Sequence, residues 1–247
     1  MKIDIARQPL VPAFMTLFAL AVAAMCAGIP VSDTSGAVRD ALPLLGGQLA
    51  RFQAAYPVWS KFAAGFMLLF TGMCAGRITI RYNLYTVGTC LPIPLYAIVA
   101  CGIATGGNYL AGFAASMLLA LATKNYCRAF CNGYGFDAIF RASLYLGLMP
   151  LIYAPALPLL LLLPLAVLLF RRTFREVVVA TAGLLLPIFT ACYVSWGSGA
   201  EFTAPLVTVG QSAIEGMPLQ LFLDIPLPAL VMAGGIVLLD PVSYTHL

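Results

Sequence analysis

Long uncharged apolar runs alternate with short polar gaps along this chain, and the cations concentrate in every second gap. The first run, Leu10 to Ile29, has the length of about 20 residues that a helix needs to cross a bilayer core, and it ends at Pro30. A second, Trp59 to Gly76, opens on Tyr56, Trp59 and Lys61, side chains suited to a headgroup boundary, and stops at Arg77. Tyr85 to Ala104 predicts a third span, kinked at Pro92 and Pro94. A fourth, Asn108 to Thr123, is short for a straight span and stops at Lys124.

From Ala142 to Phe170 no charge occurs, but Pro150, Pro155, Pro158 and Pro164 interrupt the run. It reads as one long tilted helix or as a tight hairpin turning near Tyr153 to Pro155. The hairpin is preferred, because it keeps Arg141 on the same side as Arg171, Arg172 and Arg175. Its first arm, started near Phe136, has about 17 residues, the low end for a crossing. Val177 to Trp196 is a clean span with Tyr193 and Trp196 at its exit, followed by a loop rich in Gly, Ser and Thr that holds Glu201 and Glu215. A last segment, Leu221 to Leu239, follows Pro218 and contains Asp224, Pro226 and Pro228.

The expectation is an all-α polytopic helical membrane protein with about eight transmembrane or re-entrant helices, forming one integral domain over residues 1–241. Short loops rich in Lys and Arg stay cytoplasmic during insertion. Lys2, Arg7, Arg77, Arg81, Lys124, Arg128, Arg141, Arg171, Arg172 and Arg175 therefore place the amino terminus inside, leaving Arg39, Arg51 and Lys61 in exported loops. In the first of these loops Val38, Leu42, Leu45, Leu49, Phe52 and Tyr56 recur every three or four residues. That spacing predicts an amphipathic helix lying in the interface, with a break at Pro43 and the Gly46–Gly47 pair.

Composition agrees: 62% hydrophobic and 9% charged residues stand far from the roughly 25% charged of soluble domains. The net charge of +4 is accounted for by loop cations, so nucleic acid is not an expected partner. The seven cysteines, Cys26, Cys74, Cys90, Cys101, Cys127, Cys131 and Cys192, fall mostly inside apolar segments and read as packing residues. Cys127 and Cys131 are one helical turn apart, but no further ligand in the sequence accompanies them, so neither a metal nor a cofactor is expected. The last six residues, Val242 to Leu247, break the character of the preceding chain and read as translated sequencing adapter; His246, the one histidine, lies there and receives no role.

Candidate chemistry is sparse. Asp33 and Asp40 lie in the first exported loop, where a carboxylate could deprotonate an acceptor or hold a cation bridging a lipid phosphate, as in membrane glycosyltransferases acting on lipid-linked sugars. A solvated loop acid is the plainer reading of both. Asp224 suits a helix amino-terminal cap. Arg77, Arg81, Lys124, Arg128, Arg141, Arg171, Arg172 and Arg175 are topology anchors that could also meet anionic lipid headgroups.

The stretch GFDAIFRASLYLGLMPLIYAPALPLLLLLPLAVLLFRR from Gly135 to Arg172, with TFREVVVATAGLLLPIF from Thr173 to Phe189, resembles an uncharacterised multi-pass inner-membrane family of the Bacteroidota, a domain of unknown function. The likeness spans Leu118 to Tyr193. It implies a bacterial inner-membrane location and brings no catalytic residues. The leading expectation is therefore a structural or accessory component of an envelope or glycan pathway, with membrane lipid and other envelope proteins as partners. A transferase or polymerase acting on lipid-linked sugars, and a small-molecule transporter, are the alternatives.

Overall fold

The computed structural model describes residues 10–26, 43–82, 90, 92–104, 108–131, 135–161 and 173–215. All regular structure among them is helical: α1 (Leu10–Cys26), α2 (Leu44–Ala55), α3 (Pro57–Arg81), α4 (Pro92–Ala104), α5 (Tyr109–Cys131), α6 (Phe136–Ile152), a 3₁₀ segment (Ala154–Leu161), α7 (Phe174–Gly197) and α8 (Ala204–Glu215). Two of these, α3 and α7, are by length and composition capable of crossing a membrane. Both present large apolar side chains outward, including Phe62, Phe66, Val178, Leu186 and Phe189.

Local chemistry sets the boundaries. Pro57 opens α3, where its missing N–H costs nothing, and Arg81 in the last turn suits the negative end of the helix dipole. Pro92 likewise opens α4. Several hydroxyls inside the helices are satisfied by their own backbone: Thr79 Oγ1 donates to the Gly76 carbonyl at 2.8 Å, Ser143 Oγ to Ile139 at 2.8 Å and Thr181 Oγ1 to Val177 at 2.7 Å. That local bond keeps each hydroxyl paired without a partner from another helix.

Pairwise contacts fix the directions. Ser60 in the first turn of α3 meets Tyr109 in the first turn of α5 at 2.5 Å, and the two helices stay in contact, so they run parallel. Tyr126 and Ala129 of α5 cluster with Ala138 and Ile139 at the start of α6, and Ala115 and Leu118 with Met149 near its end, so α5 and α6 are antiparallel. Against α7, Ala138 and Ile139 cluster with Ala180, Phe140 and Ser143 face Gly183, and Gly147 faces Leu184. Thus α6 and α7 run parallel, with Ile152 and Phe174 at opposite ends of the bundle.

The two ends of the bundle consequently differ. Trp59, Tyr153, Tyr193 and Trp196 lie at one, hereafter the tryptophan end. Arg77, Arg81, Lys124, Arg128, Arg141 and Arg175 lie at the other, the cationic end. Helix α2 contacts α3, α5, α6 and α8 and lies across the tryptophan end.

Small residues make the close contacts possible. A Cβ on Gly72 would stand 2.7 Å from a Leu17 methyl, and one on Gly76 2.6 Å from Ile93 Cδ1. Leu17, Leu68, Ile93, Leu110 and Phe113 fill the resulting core among α1, α3, α4 and α5.

Several expectations change. No break occurs at Gly46–Gly47: α2 starts right after Pro43 and runs through both glycines, with Gly46 buried. Pro92 and Pro94 occupy the first turn of α4 and so start a 13-residue helix where a kinked span was expected. Lys124 does not end α5, which continues to Cys131, since lysine is a good helix former. The loop after Trp196 contains α8, hidden from a charge-and-length reading because its polar residues are spread through it. By contrast, α6 stops at Ile152, with Tyr153 already out of helical geometry, where the hairpin turn was expected. The single long helix over Ala142 to Phe170 does not form. The segments 27–42 and 216–247, with Asp33, Asp40, Asp224 and His246, lie outside the described residues, as do Arg171 and Arg172.

Candidate functional site

Where α2 crosses the tryptophan end, α6 and α7 splay beneath it and leave a cleft of about 780 Å³, within the roughly 300–1,000 Å³ of small-molecule sites. Leu144, Leu148 and Leu151, spaced along one face of α6, form one wall. Leu186, Pro187, Thr190, Ala191 and Val194 of α7 form the facing wall. Leu44, Leu45 and Gln48 of α2 close the top, and Ala200 and Ala204 close the side toward α8. No charged residue is among the described residues of the lining.

Polar groups gather toward the tryptophan end. Ser195 Oγ donates to the Glu201 carbonyl at 3.3 Å, Ser198 Oγ to Ser195 at 2.7 Å and Thr190 Oγ1 to Leu186 at 2.7 Å. Each hydroxyl thereby spends its proton and keeps lone pairs to offer. Gln48 differs: it is exposed, and among the described residues its amide has no protein hydrogen-bond partner. Gln53, five residues further along α2, is committed elsewhere: its Oε1 accepts the backbone N–H of Leu110 at 3.3 Å. That N–H is one of the orphan donors in the first turn of α5, so a side chain from α2 caps α5 and fixes the roof of the cleft.

A second groove, about 560 Å³, runs along the aromatic side chains Phe52, Tyr56, Trp59, Phe62 and Phe66. Phe52 and Tyr56 have ring centroids 5.6 Å apart, and Trp59 and Phe62 6.4 Å.

The cations are spread over the cationic end. Arg77, Arg81, Lys124, Arg128 and Arg175 are exposed there. Arg141 pairs through Nε with Asp137 Oδ1 at 3.0 Å, one turn away on α6 and also exposed. No group of three or more metal-ligating side chains occurs among the described residues.

From the sequence alone Glu176 stands out only as the neighbour of Arg175. In the fold Glu176 is 1% exposed, one of the largest fully buried side chains. With Ala180, Gly183 and Pro187 it forms the stripe by which α7 packs on α6. The signal was available: Glu176 lies four residues before Ala180 and seven before Gly183, in the helical register of the small residues. Gln48 had no such signal, because only the approach of α6 and α7 turns it from a surface amide into a lining residue.

Compared with models of protein families, with curated proteins and with solved structures, the chain matches none of them.

Proposed function

We propose that this is a multi-pass protein of the bacterial inner membrane, amino terminus cytoplasmic, serving an envelope or glycan pathway as a structural or accessory component. The observation that carries the reading is the contrast between the bundle's ends: tryptophans and tyrosines at one, six of the described cations at the other, with outward apolar side chains on α3 and α7 between them. Aromatic residues favour the membrane interface and cations favour the cytoplasmic side. On this reading the tryptophan end is exported, α2 lies in the outer interface, and eight crossings remain the count. Kinship with the Bacteroidota family is part of the proposal and rests on the stretch from Leu118 to Tyr193. Membrane lipid and other envelope proteins are the partners it implies.

Two experiments test it. In intact cells expressing single-cysteine variants, a membrane-impermeant thiol reagent should modify Ser198→Cys and spare Arg81→Cys; the reverse would invert the topology. Asp33→Asn combined with Asp40→Asn should leave the glycan products unchanged. Their loss would replace the accessory role with catalysis on lipid-linked sugars.

A further inference from the structure

We infer that the cationic ends of α3 and α5 together bind the headgroup of an anionic phospholipid of the inner leaflet, through Arg77 and Arg81 of α3 with Lys124 and Arg128 of α5. The inference rests on the membrane reading above and adds a lipid class and an address to it. Register brings the four side chains to matching depths. Helices α3 and α5 are parallel, in contact, and aligned by the Ser60–Tyr109 bond. From that bond Arg77 lies about 25 Å along α3 and Lys124 about 22 Å along α5, with Arg81 and Arg128 each one turn, about 6 Å, further. Helical phase puts them on one side. Gly72 and Gly76 of α3 face Leu17 of α1 and Ile93 of α4, and Arg77 and Arg81 lie across the helix from them. Ser116 of α5 meets Tyr96 of α4, and Lys124 and Arg128 are turned roughly 100° from it. The four therefore share the side of the α3–α5 pair that faces away from α4, and all four are exposed.

The charge on that side has one sign. From Arg77 to Leu91 and from Lys124 to Phe136 the sequence contains no Asp or Glu. Arg77 with Arg81, and Lys124 with Arg128, are like charges one turn apart, an arrangement that disfavours a helix unless an anion sits near it. The negative ends of the helix dipoles offset this at Arg81 and Arg128, which lie in last turns, and leave Arg77 and Lys124. Arg141 at the same end of the bundle gives the contrast: it has its own carboxylate, Asp137 Oδ1 at 3.0 Å, whereas none of the four has an ion-pair partner among the described residues. Sorting during insertion needs cations near span ends. It does not need two touching helices to carry them at one depth and on one side.

A phosphodiester answers this charge, since guanidinium groups meet phosphate oxygens through paired N–H donors and a lysine adds a point charge. What lies beside the cations favours a lipid over a free phosphate. Phe70, seven residues before Arg77, and Phe66, four before Phe70, continue the same face of α3 toward the middle of the bundle. Both are exposed, and their rings stack with centroids 6.4 Å apart. A headgroup on Arg77 thus has an apolar strip directly inward of it on which an acyl chain can lie, the order of polar and apolar surfaces that an amphiphile in a leaflet presents.

The test uses the full chain purified in detergent, incubated with equimolar phosphatidylglycerol and phosphatidylethanolamine, delipidated stepwise and weighed by native mass spectrometry. Phosphatidylglycerol adducts should outlast phosphatidylethanolamine adducts on the wild-type chain. Arg77→Gln and Lys124→Gln, both at exposed side chains, should each weaken phosphatidylglycerol retention about fivefold, the loss expected for one cation at a membrane surface. Arg141→Gln, which removes a cation already paired with Asp137, should leave retention unchanged. Equal retention of the two lipids, or a loss in Arg141→Gln as large as in the other two variants, would overturn the site in favour of a diffuse positive field. Displacement of phosphatidylglycerol by millimolar inorganic phosphate would overturn the lipid and assign the four cations to a soluble phosphate. Recovery of the chain without membranes on cell fractionation would instead remove the membrane reading, and the inference with it.

Discussion

Gly147 of α6 lies directly against the backbone carbonyl of Leu184 on α7, so close that no side chain fits between them. The contact is reciprocated one turn away, where a Cβ on Gly183 would stand 2.8 Å from the Phe140 carbonyl oxygen and 3.0 Å from Ser143 Cβ. Two parallel helices thus meet backbone to backbone at a pair of glycines, and the cleft opens where they diverge beyond it. Replacing Gly147 or Gly183 with alanine should destabilise the fold by about 1–3 kcal/mol, the usual cost of overpacking. Gly197→Ala, with nothing within 4 Å of the added carbon, should be neutral or slightly stabilising. Thermal unfolding of the three purified variants separates these outcomes.

The Ser60–Tyr109 bond predicts an asymmetric pair of substitutions. Ser60 Oγ also donates to the Pro57 carbonyl at 2.8 Å, so Tyr109 is the donor in the shared bond. Tyr109→Phe leaves Ser60 satisfied, whereas Ser60→Ala strands the tyrosine hydroxyl in a buried site. Ser60→Ala should cost about 1–3 kcal/mol and Tyr109→Phe about 0.5–1.5 kcal/mol. A double-mutant cycle on unfolding free energy measures the coupling, and equal costs would contradict the assigned donor.

Gln53 should govern how firmly α2 sits on the bundle. Gln53→Ala removes the cap on Leu110 and should raise the hydrogen-exchange rates of the amides at Leu110 and along α2 by about fivefold, as expected for a bond of about 1 kcal/mol. Unchanged exchange in both segments would show that packing alone holds α2.

Glu176 and Asp137 are both acids in a first helical turn, yet they should differ widely in their sensitivity to substitution. Asp137 is exposed and pairs with Arg141 one turn away, so Asp137→Ala should cost no more than about 0.5 kcal/mol. Glu176 is buried at 1% exposure against α6. Glu176→Lys would set a desolvated cation at the positive end of α7 and should cost about 3 kcal/mol or more, whereas Glu176→Gln, which keeps the shape, should cost less. Comparing expression and melting temperature across the three variants checks the order.

Much of the element pattern was legible in the amino-acid order. The spans centred on α3 and α7 follow from uninterrupted apolar length, and the end of α6 from Pro150 and Pro155 around Tyr153. Such signals are largely local: a run of apolar residues favours a helix, and closely spaced prolines such as Pro150 and Pro155 end one, although the lone Pro187 is carried inside α7. Prolines misled only where position within the helix mattered, as at Pro92, which starts α4 where a kink was expected.

The chain by itself thus determined its helical class and the segregation of its cations, because both are written in residue type and spacing. Which apolar face meets which was decided only in three dimensions. The outer and inner faces of α3 and α7 are both apolar, so no period distinguishes Phe66, which points outward, from Leu68, which is buried. The parallel pairing of α6 and α7, the burial of Glu176 and the placing of Gln48 over the cleft depend on where backbones can approach, and that is set jointly by Gly147, Gly183 and the side chains across from them.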